Sequence, residues 1–430
     1  MFYQTYQMQA DLMVPVRLFA NLAQTWLDIL PPVLSGSRPV RKLSAAYQLL
    51  ANTQIRHERP PFGIDQVDVD GSVVAVHEEA IKVTPFGTLL RFRKDVDVQQ
   101  PRILLVAPMA CHFATLLRET AKTLLPEHDV YITDWHNARD VPLADGQFDL
   151  DDYIAHLIDF IAVMGPGANI VAICQPCVAA LAAVAIMSED GHPATPSSLT
   201  LMAGPIDTRV NPTEVNALAE KHPLSWFERN VISKVPLRYA GGGRQVYPGF
   251  LQLAGFIGMN FDRHQDSFRK LHRNMVDGEF EQVHAIKDFY DEYFAVADLP
   301  AEFYLQTMQT VFMKYDLPLG NLIWRGRRVD PSMIRNTALL TVEGAKDDIC
   351  GVGQTGAAHE LCSGLAPELK VRHIQDGAGH YGVFSGRRWV ESVFPLLRSV
   401  IAEAARKSGS NEVREERKDK RNSKRQGKSN

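Results

Sequence analysis

Asn169-Ile-Val-Ala-Ile-Cys174-Gln-Pro-Cys177-Val-Ala-Ala-Leu-Ala-Ala-Val-Ala-Ile-Met187 decides how this chain is read. Asn169 to Ile173 suit a short buried strand, and the Ala-rich run from Cys177 suits a helix. An abrupt strand-to-helix turn with a nucleophilic residue at its corner is the layout of a nucleophile elbow. The corner here is Ala172-Ile-Cys174-Gln-Pro176, with Cys where Ser is usual. Ala172 is small enough for the tight crossing. Pro176 is tolerated in a first helical turn, where its missing N–H is not needed. Cys174 is therefore the candidate nucleophile. Cys177 falls inside the helix, on its packing side or its surface.

Similar alternation extends outward from the elbow. Apolar strands are expected at Arg102–Ala107, His128–Asp134 and Ser198–Ala203, with helices at Thr115–Leu125 and Leu150–Met164. Strands separated by helices of this length argue a parallel sheet covered on both faces. Before them, Val67–His77 contains Asp70-Gly71, a hairpin signal, so an antiparallel hairpin should sit at the sheet edge. Strands resume at Thr337–Val342 and Lys370–Gln375, and a helix over Arg388–Ala405 closes the sheet region. Between them, residues 205–335 are rich in aromatics and helical patterns and are expected to form a helical cap.

The expected organisation is a helical arm over 1–60, a core over 61–204 and 336–405, the cap over 205–335, and a tail over 406–430. In the arm, Leu12, Val16, Phe19, Leu22, Trp26 and Ile29 give an apolar face that either packs on the main domain or is offered to a hydrophobic surface or partner subunit. Pro31-Pro32 should stop its first helix. The tail holds ten Lys or Arg against four Asp or Glu and one large apolar residue, Val413. Such a segment cannot bury a core and is expected to be disordered.

Composition narrows the class. A hydrophobic content of 45%, a charged content of 22% and a net charge of −4 suit an ordinary globular protein and give no reason to expect nucleic-acid binding. Five cysteines, at 111, 174, 177, 350 and 362, do not make a disulfide framework. Cys174-Gln-Pro-Cys177 is formally a C-x-x-C, but no second ligand pair accompanies it, so no metal is expected. There is no signal-peptide pattern and no apolar run near the roughly 20 residues that span a bilayer. The expected location is the cytoplasm.

Function in an open α/β sheet gathers at the carboxyl ends of its strands. Cys174, Asp347 (beside Asp348), His380 and the turn Pro108–His112 each follow an expected strand. The order nucleophile, acid, histidine is that of α/β-hydrolases. His380 stands in Gly377-Ala-Gly-His380-Tyr-Gly382 and would be the general base and then acid. Asp347, three after Gly344 and two before Ile349, would orient the imidazole. The Gln175 N–H, with that of Met109 or Ala110, would form an oxyanion hole.

Several stretches together carry a family likeness: Ala107-Pro-Met-Ala-Cys-His-Phe-Ala-Thr-Leu-Leu-Arg118, Asp129-Val-Tyr-Ile-Thr-Asp-Trp-His-Asn-Ala-Arg-Asp140, Asp149-Leu-Asp-Asp-Tyr153, Ala172-Ile-Cys-Gln-Pro176, Val342-Glu-Gly-Ala-Lys-Asp-Asp348 and Gly379-His-Tyr-Gly-Val-Phe384. From about residue 1 to 405 the chain resembles the intracellular poly(3-hydroxybutyrate) depolymerases of bacterial storage granules, in the α/β-hydrolase superfamily. The family's catalytic Cys, Asp and His match Cys174, Asp347 and His380. Its turn after the first central strand reads Ser-Gly-His, where this chain has Ala110-Cys111-His112. The likeness implies cleavage of amorphous polyester through a thioester acyl-enzyme, attachment to granules in the cytoplasm, and no cofactor. Coenzyme A is an alternative to water as acyl acceptor, and a homo-oligomer is possible. Polyester synthases share the thiol triad, but their elbow reads Gly-x-Cys-x-Gly-Gly. A granule-coat protein without activity would not need the Cys, Asp and His set.

Overall fold

The computed structural model describes residues 2–31, 37–52, 54–259 and 261–407. The tail expected over 406–430 lies outside the described residues from 408 onward, as does Pro32.

Nine strands form one sheet. They are β1 (Gln66–Val69), β2 (Ser72–Val83), β3 (Gly87–Lys94), β4 (Arg102–Val106), β5 (Asp129–Trp135), β6 (Asn169–Ile173), β7 (Ser198–Met202) and, after the cap, two more at Ala338–Gly344 and Lys370–Gln375. Three small strands lie in the cap, β8 (Ser233–Lys234), β9 (Gln245–Tyr247) and β10 (Leu299–Pro300), and a short hairpin joins β11 (Ile323–Trp324) to β12 (Arg327–Arg328). The last two sheet strands are therefore β13 and β14. Their order is β1-β2-β3-β5-β4-β6-β7-β13-β14. Pairing is parallel from β5 to β14 and antiparallel from β1 through β3 to β5. The edge hairpin turns at Asp70 (φ 52°) and Gly71 (φ 83°), both in the left-handed region that the primed turns require.

The sheet reverses direction of growth around β4, whose neighbours are β5 and β6. A crevice at the carboxyl ends of β4 and β6 follows from that reversal. Val106 pairs with Ala172, so the turn after β4 and the corner after β6 leave the sheet side by side.

The principal helices are α1 (Phe2–Asp28), α2 (Arg38–Asn52), α3 (Arg118–Leu124), α4 (Leu150–Met164), α5 (Cys177–Glu189), α6 (Glu214–Lys221), α7 (Leu224–Asn230), α8 (Gly249–Met259), α9 (Phe261–Asp277), α10 (Phe280–Tyr293) and α11 (Ala301–Thr307). α4 starts at a capping box in which Asp149 and Asp152 bond each other's backbone N–H. In α5 every residue from Cys177 to Met187 is buried, between the sheet and α4. Its alanines permit that approach, because a helix buried all round must be apolar and thin.

The arm departs from ordinary packing. Tyr3 and Ala20 of α1 are buried, while Met8, Leu12, Phe19, Leu22 and Trp26 are 61 to 72% exposed. The apolar residues singled out in the sequence therefore do not pack on the main domain. The docked side is held by polar and aromatic contacts. The Tyr3 hydroxyl donates to Asp298 Oδ2 (2.6 Å), Tyr6 stacks on Phe250 (3.8 Å between centroids), and Arg238 pairs with Asp11 (3.0 Å). The three cap strands were not expected from sequence, because two or three residues carry no periodicity.

Candidate active site

The elbow forms as a left-handed corner. Cys174 has φ 67°, its N–H donates to Met202 O (2.8 Å), and its carbonyl accepts from Cys177 N (3.2 Å). A side chain forced into this region is strained and needs support. The support comes from the end of β7. A Cβ built on Gly204 would stand 2.2 Å from Cys177 Cβ and 3.1 Å from the Cys174 carbonyl oxygen, so only glycine lets the two segments approach. Gly204 is clamped in turn by Thr355, whose Oγ1 accepts from Gly204 N (2.8 Å) and donates to Gly204 O (3.0 Å). Thr355 sits in the loop after β13. The buried Glu343 gathers that loop by accepting from the N–H groups of Gly353 (2.6 Å), Thr355 (3.0 Å) and Gly356 (3.1 Å).

Asp347 follows β13 and His380 follows β14. Both side chains are almost fully enclosed. His380 Nδ1 donates to the Asp347 carboxylate, at 2.9 Å from Oδ2 and 3.1 Å from Oδ1. Oδ1 also accepts from Ile349 N and Cys350 N, each at 2.9 Å. These two backbone donors orient the carboxylate. Cys174 lies near enough to the His380 imidazole to act on its titration. The structure thus brings His380 and Asp347 into contact and sets Cys174 close to the ring.

Burial by itself would lower the His380 pKa. The charge of the Cys174 thiolate, the hydrogen bonds to Asp347 and Cys174 and the Asp347 charge outweigh it and raise the imidazole from 6.5 to about 10. The protonated imidazole, paired with Asp347, is the form this site favours. A folded pKa raised above the unfolded one adds stability that is complete below about 6.5 and lost as pH rises through about 10. Denaturant unfolding of the wild type and His380→Gln across pH 6 to 10.5 should show their difference shrinking over that window. A difference that stays constant would dismiss the ion pair.

Cys177 lies directly beneath, fully buried, its thiol donating to Ala172 O (3.3 Å) and Met202 O (3.6 Å). Burial pushes that thiol well above its ordinary range, so it stays protonated and inert.

The turn after β4 is held at its root. Ala107 O accepts from Trp135 Nε1 (2.9 Å) and Tyr153 OH (3.3 Å), and Ala107 N donates to Thr133 Oγ1 (2.9 Å). His112 N donates to Ala110 O (2.9 Å), closing a γ-turn around Cys111 at φ 62°. Such a turn is strained for any residue with a side chain. A backbone partner braces it: Cys111 O accepts from Ala297 N (2.6 Å). The next residue, Asp298, receives the Tyr3 hydroxyl and also the Gly249 N–H (2.9 Å). Among the described residues, the N–H groups of Met109, Ala110 and Gln175 donate to no other backbone group. Donors of an oxyanion hole must be unoccupied in this way. The His112 ring packs against Tyr293 (5.0 Å) and Phe256 (6.1 Å), and its burial, only partly offset by the Ala295 backbone, lowers it to about 4, so it is neutral.

Sequence reasoning did not anticipate Gly204, Thr355, Glu343 or Asp298. A glycine directly after an apolar strand was the one visible signal. The others act through contacts between segments far apart in the chain.

Residues 203–405 match the family described as PHB de-polymerase C-terminus. No curated protein matches the chain. Solved structures that do match include the α/β hydrolase GrgF from Penicillium sp. sh18, at 15% identity over 77% of this chain and 98% of that one, with a TM-score of 0.44. Another is a thermophilic esterase from Thermogutta terrifontis, at 12% identity over 78% and 97%, with a TM-score of 0.38. Among the described residues no helix is long and apolar enough to cross a membrane. The sheet topology and the family match support ester hydrolysis. The chain thus joins the mostly parallel nine-stranded sheet of an α/β-hydrolase fold to a segment, residues 203–405, that matches the PHB de-polymerase C-terminus family.

Proposed function

We propose that the protein is a thiol esterase that degrades amorphous poly(3-hydroxybutyrate). The observation that carries the proposal is the His380 imidazole held at Nδ1 by a buried carboxylate that also accepts two backbone N–H groups, with Cys174 at a left-handed strand-to-helix corner.

The Cys174 thiolate attacks an ester carbonyl of the polymer. The resulting oxyanion takes hydrogen bonds from Gln175 N–H and from Met109 or Ala110 N–H. The His380 imidazolium gives its proton to the departing alkoxide, which leaves as a hydroxyl chain end. The acyl group is then a thioester on Cys174. His380, now neutral, takes a proton from water, the hydroxide adds to the thioester, and collapse returns the thiolate and frees a carboxylic acid. Coenzyme A thiol in place of water would give an acyl-CoA. Asp347 keeps the proton on Nδ1, so Nε2 faces the reacting atoms.

A synthase reading would use the same triad. The elbow residues Ala172 and Pro176 favour the depolymerase. Granule attachment in the cytoplasm and self-association belong to the proposal and stand on the likeness and on the exposed apolar arm.

The test is hydroxyacid release from native amorphous granules by the wild type and Cys174→Ala, with and without coenzyme A. The variant should release nothing above buffer. Equal release by both proteins would sink the thiol mechanism, and polymer formed from 3-hydroxybutyryl-CoA would move the assignment to synthesis.

A further inference from the structure

A cavity of about 730 Å³ forms an open groove between the start of α2 and the length of α9. Its apolar lining is Ile257, Phe261, Phe268 and Val276. Its rims are basic: Arg38 and Lys42 rise from α2, Arg269 and Arg273 from α9. Arg269 has one partner, the exposed Asp266 of its own helix. Among the described residues Arg38, Lys42 and Arg273 form no ion pair. One carboxylate, Asp277, lines the groove.

A second feature adjoins it. α2 packs against both α1 and α9. On α1, Met8, Leu12, Phe19, Leu22 and Trp26 recur at three- and four-residue steps, or multiples of them, so they share one side of the helix, opposite Tyr3, Tyr6 and Ala20. An ordinary surface helix turns its polar side to water. This one turns outward a stripe of large apolar side chains, two of them aromatic.

We propose that α1, α2 and α9 form an attachment surface for an anionic phospholipid layer. The α1 stripe enters the acyl region in the plane of the layer, and the groove takes a headgroup phosphate between its cationic rims with an acyl chain on its floor. Helices that lie in such an interface bind through buried apolar area together with attraction of Lys and Arg to anionic lipids. α1 supplies the first. It carries a single cation, Arg17, so the second comes from α2 and α9 beside it. An uncharged polyester surface gives unpaired cations nothing to bind. A second copy would bring its own cationic rims against these.

The experiment is co-sedimentation of the full chain with phosphatidylcholine vesicles, with and without phosphatidylglycerol, at low and high salt. Binding should need phosphatidylglycerol and weaken with salt. Lys42→Glu with Arg269→Glu and Arg273→Glu should weaken it about 100-fold, from the effect of each cation near an anionic surface. Leu22→Ser with Trp26→Ser should weaken it independently. Hydrolysis of a water-soluble butyrate ester by the same preparations should be unchanged, which shows that the variants fold. Cys174→Ala should bind like the wild type, so a failure of the esterase reading leaves this result standing. Equal binding to pure phosphatidylcholine would overturn the proposal. So would unchanged binding by the charge-reversed variant, saturation of the groove by inorganic phosphate alone, or an α1-dependent dimer that forms instead of vesicle binding.

Discussion

Asp347→Asn should leave the protein folded and lower ester hydrolysis by about 10³- to 10⁴-fold, the scale expected when a triad imidazole is held in the wrong tautomer. The reason lies in the donors around the carboxylate. Ile349 N and Cys350 N both point at Oδ1. An asparagine must turn its carbonyl oxygen toward them, because its NH₂ group would oppose two other donors. The NH₂ then faces His380 Nδ1, which has to accept. The ring proton moves to Nε2 and points at Cys174, where an acceptor for the thiol proton is needed. The check is kcat on a soluble ester together with a melting curve. Activity within tenfold of the wild type would remove Asp347 from the proposed mechanism.

Gly204→Ala should be the more destructive change, although it adds one methyl group outside the triad. That carbon would lie 2.2 Å from Cys177 Cβ and 2.3 Å from its Sγ, both in the first turn of a helix buried on every side. Neither atom can swing away without moving the elbow. Overpacking of this kind costs about 1–3 kcal/mol where side chains can adjust, and a clash with a helix root should exceed about 3 kcal/mol. Thermal or denaturant unfolding measures the loss, and activity should fall with it. Cys177→Ala in the same chain should not rescue it, since the Cβ is itself the obstacle. A stable, active Gly204→Ala protein would show that the elbow has room that the coordinates deny.

The sheet was legible in the sequence to the extent that local patterns determine it. Apolar runs at Asn169–Ile173 and Ser198–Met202 form the strands expected there, since fully buried strands announce themselves by composition. Asp70-Gly71 announced its hairpin for a similarly local reason. The candidate site was legible through position after strands, and the geometry joins Asp347 to His380 and sets Cys174 at the elbow corner. Their catalytic roles rest on the experiments above. Other features left no trace. Cys111 occupies a left-handed turn in which glycine would be the local choice, and what braces it is Ala297, far along the chain. The arm's period marked an apolar stripe on α1, but its docked side is set by hydroxyl and aromatic contacts of Tyr3 and Tyr6 with residues near 250 and 298.

That last link bears on how the protein can be handled. Tyr3 is linked to the Cys111 turn through Asp298 and Ala297 by two hydrogen bonds. A purification tag on the amino terminus, or removal of the arm to make a smaller protein, would loosen the brace of the Cys111 turn while touching only the periphery. Loss of activity in such a protein would say nothing about surface attachment. Tags belong on the carboxyl end, and the arm's role is best read from single substitutions on its outward side.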